Sequence, residues 1–272
     1  MREICINCPW YRETEETISQ FHLSINHYNP NAELVIDMGN ALTTLATQYP
    51  FEKRLFVGSE PNVYMHYDDG IFRERVRLFY GQIWCHSEYL SGLQQYKFNQ
   101  YCVSWVNPEW LMRPLQFGIG GIFSSKNDSN FDGYAIRRRI EAMEYQIKVP
   151  SMVYTKKESW NGKTFEYPQP SKQQSLEWMF HLSIENTKEK YYFSEKLIDA
   201  FICRNVPIYY GDPCIGEAFD ERGIIRLDEN DILSQLNSLT EQDYLDRLVY
   251  IESNYRKAQK YRSHFNQVLE QL

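Results

Sequence analysis

The sequence predicts an α/β protein built as two domains. Three observations carry this: the first hundred residues alternate between short apolar runs and helix-periodic stretches, a proline-marked break follows at Asn107-Pro108, and a second alternating series occupies the rest. A chain of 272 residues is long enough to bury two modest cores.

In the first series, Ile4 to Cys8 reads as a strand. Residues 14 to 26 read as a helix, with Ile18, Phe21 and Ile25 at helical spacing and Glu13, Glu15 and Glu16 at the end where a helix favours negative charge. Leu34 to Ile36 is the second strand, a helix is expected from Ala41 to Thr47, and Leu55 to Val57, Gln82 to Cys85 and Tyr101 to Val106 are further short apolar runs. The alternation describes a Rossmann-like domain over residues 1 to 110, with a linker near 107 to 116.

The second domain, 111 to 272, begins with Gly118 to Ser124 as a strand, Tyr134 to Gln146 as a helix and Met152 to Tyr154 as a strand. A polar, proline-containing stretch between Lys156 and Lys172, holding Trp160 and Tyr167, has no periodicity and reads as a loop. A helix ending near Trp178, strands at Phe180 to Ile184, Pro207 to Tyr210 and Ile224 to Leu227, and a helix from Glu195 to Cys203 continue the series. The tail from Thr240 is helical, opened by the Thr240-x-x-Asp243 spacing of a capping box.

With 43% hydrophobic and 24% charged residues the chain is an ordinary globular protein and not a disordered one. Its net charge of −7 argues against nucleic acid as a partner, because that affinity depends on neutralising phosphates with Lys and Arg. No apolar run reaches the ~18 residues needed to span a bilayer, and the start lacks the features of a signal peptide. The expectation is a cytoplasmic protein with no transmembrane segment, whose membrane contact, if any, is peripheral. Six scattered cysteines read as reduced core residues, with Cys5-x-x-Cys8 as a minor candidate for a redox pair. No Asp-x-Asp pair occurs, Asp68-Asp69 reads as a turn, and the six histidines are dispersed, so no metal is expected.

The chemistry concentrates between Phe180 and Gly211. A strand ends in Glu185-Asn186-Thr187, a loop follows through Tyr192, and a helix begins at Ser194-Glu195-Lys196 before the strand Pro207-Ile208-Tyr209-Tyr210-Gly211. Ligands of open α/β sheets bind outside the carboxyl ends of the strands, and a helix N-terminus with a nearby Lys receives phosphates, so the segment can form a sugar-nucleotide pocket. On physical grounds alone, a capped helix with a solvated Glu-Lys pair fits as well.

The same segment resembles the signature of the α1,3-fucosyltransferases of glycosyltransferase family ten: Phe-Glu-Asn-Ser/Thr, a spacer, Tyr-Val-Thr-Glu-Lys, then a helix and an apolar strand ending Pro-Ile/Val-Tyr-x-Gly. Order and spacing are kept across residues 180 to 211, with Ile184 in place of Phe and Phe193-Ser194 in place of Val-Thr. The resemblance implies a GT-B-like fold, two Rossmann-like domains with the active site in the cleft between them. It implies Asn186, Tyr192, Glu195 and Lys196 as donor-binding residues, Lys196 on the diphosphate and Glu195 on the ribose hydroxyls.

Weaker likeness at Ile122-Phe123-Ser124-Ser125 and Gly133-Tyr134-Ala135-Ile136-Arg137 implies Arg137 as a further diphosphate contact, with Arg138 and Arg139 as alternatives. Leu55-Phe56-Val57-Gly58-Ser59-Glu60-Pro61-Asn62 resembles the strand and acidic turn that hold the family's catalytic base, here Glu60, although a turn-capping Glu fits the same residues. The expected function is metal-independent, inverting transfer of fucose from GDP-fucose to a glycan or glycolipid hydroxyl, with GDP-fucose as donor substrate and no cofactor. A GT-B transferase using another nucleotide sugar and a non-catalytic nucleotide-sugar- or carbohydrate-binding protein remain the alternatives.

Overall fold

The structure, a computed structural model, describes all residues except 12, 108, 110, 112, 125, 127 and 157–171. The loop expected between Lys156 and Lys172, with Trp160 and Tyr167, lies outside the described residues, as do Pro108 and Ser125. The chain divides into two compact units: Met1–Tyr101 with Lys190–Tyr192 and Phe265–Leu272, and Cys102–Glu189 with Phe193–His264.

The first unit is built on a seven-stranded sheet of Arg2–Asn7 (β1), Glu15–Ile18 (β2), Phe21–Ile25 (β3), Leu34–Met38 (β4), Arg54–Val57 (β5), Gln82–Cys85 (β6) and Tyr96–Phe98 (β7). Their order is β2-β3-β1-β4-β5-β6-β7, parallel throughout except for the β2–β3 pair. Residues 14 to 26 are therefore not the expected helix. Phe21, Leu23 and Ile25 alternate onto one buried face of β3, and Ser19, at φ 53°, turns the chain back between the strands. The 18/21/25 spacing suits a helix, but the 21/23/25 spacing is that of a strand, and parallel pairing with β1 satisfies its backbone.

The helix expected over Ala41 to Thr47 is also missing; a short 3₁₀ turn at Ala46–Gln48 stands there. Leu42 sits at φ 60°, its N–H donates to the Tyr80 hydroxyl at 2.5 Å, and Thr43 hydrogen-bonds Asp37, so local side chains take the groups a helix would use. Tyr101 to Val106 forms no strand. Asn62–Met65 (α1) and Gly70–Phe79 (α2) follow β5, and α2 begins where the Asp69 side chain accepts from Ile71 N at 2.9 Å.

The second unit carries a five-stranded, all-parallel sheet of Gln116–Ser124 (β8), Ser151–Lys156 (β9), Trp178–Ile184 (β10), Val206–Tyr210 (β11) and Ile225–Arg226 (β12), ordered β12-β11-β10-β8-β9. Asp132–Met143 (α3) buries Ile136 and Ile140 on one side of it. Lys172–Ser175 (α4) and Glu195–Ile202 (α5) accompany β10, with Leu197, Ile198, Phe201 and Ile202 in a second apolar cluster. Ile232–Asn237 (α6), Glu241–Leu245 (α7) and Leu248–Ala258 (α8) follow; the Thr240–Asp243 capping box opens α7. Asn266–Leu269 (α9) belongs to the first unit, where Phe265, Val268 and Leu269 join Ile4, Ile6, Ile36 and Leu55 in one core.

No helix among the described residues is long and apolar enough to cross a membrane. Cys5 and Cys8 are buried thiols, and burial pushes Cys8 up to about 12, which leaves it almost no thiolate for redox exchange at neutral pH.

Candidate functional site

In the second unit the carboxyl end of β10 is assembled around a buried carboxylate. Glu185 follows the last residue of the strand; its N–H donates to Tyr210 O at 2.8 Å, and its side chain is fully buried. Ser194, the N-cap of α5, donates to Glu185 through both backbone N–H (2.8 Å) and hydroxyl. Lys196 Nζ in turn lies 3.0 Å from Ser194 Oγ, 3.1 Å from Glu195 Oε1 and 3.7 Å from Glu185 Oε2. The first turn of α5 is thus tied to the strand end through a relay from Lys196 to Ser194 to Glu185.

Arg137 is brought to the same strand end from α3. Its Nη2 donates to Ile184 O at 2.5 Å and to Asn186 Oδ1 at 3.0 Å, with the Tyr134 ring 5.0 Å away. The helix can approach this closely because its second residue is Gly133, whose N–H donates to Asn186 O at 2.9 Å; a Cβ there would meet Glu185 O at 1.9 Å. Of the three consecutive arginines, Arg137 is the buried one. Arg138 bonds Ser124 O and pairs with Glu141, and Arg139 donates to Glu229 O.

The electrostatics fix the charge states. Burial raises the Glu195 carboxyl, but Lys196 and Lys172 outweigh it and hold the group down to about 2, so it is an acceptor of hydrogen bonds at any working pH. Burial opposes the Lys196 charge as well, and Glu195 and Glu185 more than restore it. Their side chains keep 23% (Lys196) and 29% (Glu195) of their surface exposed, enough for a ligand to reach both. Glu185 is pushed up by burial, against the pull of Lys196.

Beneath this cluster, His181 Nδ1 lies 3.1 Å from Ser183 Oγ, whose own proton goes to Lys196 O at 2.9 Å, so the imidazole nitrogen is the donor. Burial, helped by Lys172, pushes His181 down to about 3. A base with a depressed folded pKa contributes stability above its unfolded value of 6.5, and this is lost as pH falls toward 3. The full window is worth on the order of 3–5 kcal/mol. Melting curves between pH 7 and pH 4 therefore show a steeper acid loss for wild type than for His181→Gln; parallel curves would remove His181 as the origin.

In the first unit, Glu60 occupies the turn after β5, half-buried, with Pro61 next as the N-cap of α1. The neighbouring strand end holds Asp37, fully buried, which accepts from Tyr80 OH, from Thr43 Oγ1 at 2.6 Å and from Asn7 Nδ2 at 3.1 Å. Tyr192 packs in this unit too, its ring 5.7 Å from that of His86, which follows β6. The structure thus gathers Arg137, Asn186, Glu195 and Lys196 in the second unit and places Glu60 and Tyr192 in the first.

Sequence reasoning missed Glu185 and Asp37 as anchors of their sites. Each is a carboxylate at the end of an apolar strand, a pattern that is visible in the sequence and costly to bury without partners. Among the described residues no group of three or more His, Cys, Asp or Glu could hold a metal ion.

No family model matches the chain. Over 51 residues it is 33% identical to the α-(1,3)-fucosyltransferase FucT of Helicobacter pylori, a match spanning 19% of this chain and 11% of that protein. The matched stretch is thus about a tenth of the relative's length. A crystal structure of an α1,3-fucosyltransferase matches with a TM-score of 0.55 at 17% identity, covering 91% of this chain and 80% of that one. One with GDP-fucose matches at 0.52 and 16%, covering 91% and 81%. One with GDP matches at 0.52 and 14%, covering 99% and 91%. At such identities the likeness is one of fold, and function rests on the site. The chain is a fucosyltransferase-like protein in fold, with the α/β GT-B type of architecture seen in the α1,3-fucosyltransferases.

Proposed function

We propose that the chain is an inverting glycosyltransferase that moves fucose from GDP-fucose to a hydroxyl of a glycan acceptor, without a metal ion. The observation that supports this most is the convergence of Arg137, Asn186, Glu195 and Lys196 at the carboxyl end of β10, in a fold whose solved examples include complexes with GDP-fucose and GDP. Lys196, cationic and partly exposed beside the start of α5, suits the diphosphate, and Arg137 adds a second positive group. Glu195, ionised, suits the ribose hydroxyls. Asn186 and Tyr192 complete the donor-binding set.

In this reading Glu60 takes the proton of the acceptor hydroxyl. The freed oxygen forms its bond to the anomeric carbon from the face opposite the leaving group, the bond from that carbon to the β-phosphate oxygen breaks, and GDP departs with the electron pair. Lys196 and Arg137 offset the charge that develops on the diphosphate. A cytoplasmic location fits Cys5, Cys8, Cys203 and Cys214 as free thiols.

Thermal shift with GDP, UDP and CMP tests the donor. A ligand that binds only the folded chain raises its melting temperature by mass action, so GDP raises it and the other two do not. A UDP response instead points to a different donor sugar, and a GDP response without turnover points to a binding protein. The missing Asp-x-Asp pair leads to a second expectation: transfer proceeds at the same rate in excess EDTA. Loss that Mg²⁺ or Mn²⁺ restores would overturn the metal-free mechanism.

A further inference from the structure

The first sheet contains a second feature suited to a ligand, and its interpretation rests on the transferase reading. The chain leaves β1 to build β3 on one side of it and then crosses to build β4 on the other, so the strand order reverses at β1. In open parallel sheets the crevice at such a reversal, outside the carboxyl ends, is where ligands bind. The residue that stands there is Trp10, in the turn after β1 and 38% exposed.

The surroundings of Trp10 are built rather than loose. Gly39, just past β4, has φ +75°, and a Cβ on it would lie 2.3 Å from the tip of the Trp10 ring and 3.1 Å from Ser59 Oγ. Only glycine lets the indole edge settle on that turn, next to the residue that precedes Glu60. The turn is itself held from below, because Asn7 at the end of β1 and Thr43 beyond Gly39 both bond the buried Asp37. An indole fixed by its edge loses little freedom when a ligand covers its face.

We propose that Trp10 is the platform on which a pyranose ring of the acceptor glycan stacks. The face of an aromatic ring is its negative side, and the C–H bonds on one side of a hexopyranose are weakly positive and apolar, so the two match in charge and in shape. The hydroxyls at the sugar's rim then point outward, toward polar groups such as Ser59. The platform selects for a ring with an unbroken C–H face and leaves the donor residues of the second unit untouched.

Saturation-transfer NMR with lactose, cellobiose and maltose, one at a time, tests this on the full chain. With wild type, at least one sugar receives saturation on its ring C–H protons. Trp10→Ala weakens that binding roughly tenfold, the scale of losing one stacked ring, and Trp10→Phe restores most of it. GDP thermal shift is measured on each variant as an independent readout. Sugar binding that depends on Trp10 without any GDP response keeps the platform and removes the transferase reading. A GDP response with sugar binding unchanged in Trp10→Ala, or with none of the three sugars bound by wild type, overturns the platform and leaves the donor assignment standing. Should Trp10→Ala fail to fold, Trp10→Gln serves the same comparison, because it keeps length but offers no ring face.

Discussion

Glu60→Gln lowers turnover by roughly 10²–10⁴-fold while GDP affinity stays as in wild type, because the amide keeps the shape of the side chain but cannot accept the acceptor's proton. The separation follows from where the residues lie: Glu60 is on the turn after β5 in the first unit, and the residues assigned to the diphosphate belong to the second. A Glu60 that merely shaped the turn before Pro61 would give a different signature. Turnover would then fall only in proportion to a lowered melting temperature. Full turnover with both substrates saturating would move the search for a base to Glu74, Glu88 or Asp68-Asp69. Glu74 is the weakest of these, since Arg77 pairs with it through 2.5 and 2.7 Å contacts and holds its carboxyl down.

Lys196→Ala weakens GDP binding and turnover together. A charge-assisted contact to phosphate is worth about 1.5–3 kcal/mol, which corresponds to roughly 10–150-fold in affinity. Because the contact is made in both bound and transition states, the loss appears first in the affinity and carries through to kcat/KM. Competition titration with GDP reads it directly. The opposing structural role is equally measurable: Lys196 compensates Glu195 and the buried Glu185, so a lysine that served only the two acids would leave GDP affinity intact and lower the melting temperature alone. Unchanged GDP affinity would remove Lys196 from the binding site.

Most of the second unit was legible in the sequence because its inner strands β10 and β11 are parallel, buried and mostly apolar, and such strands read as continuous runs. Phe180 to Ile184 and Pro207 to Tyr210 fall on β10 and β11, and Ser194 caps α5 as its position before Glu195-Lys196 indicates. The first unit was read less well. Residues 14 to 26 carry two spacings at once, and pairing with β1, a contact distant in sequence, decides between them. The 41 to 47 stretch has adequate helix formers, but Asp37 and Tyr80 take its polar groups. The candidate site shows the same division. Lys196 and Glu195 were singled out only by the resemblance of residues 180 to 211 to the family signature, whereas the role of Glu185 depends on Ser194 folding back across the intervening loop, and the choice among Arg137, Arg138 and Arg139 depends on which face α3 turns to β10.

The core that joins Phe265, Val268 and Leu269 to Ile4, Ile6, Ile36 and Leu55 has a consequence for the order in which the chain can fold. During synthesis the strands of the first unit emerge first, yet the residues that close over them are made only after the whole second unit. At ribosomal speed that is a wait on the order of ten seconds, during which an apolar sheet face stands open to other chains. The second unit is complete at His264, before those closing residues are made. The unit made first is therefore the one finished last, and chaperone demand in the cell, together with aggregation of any product cut short before residue 265, should track the first unit's strands.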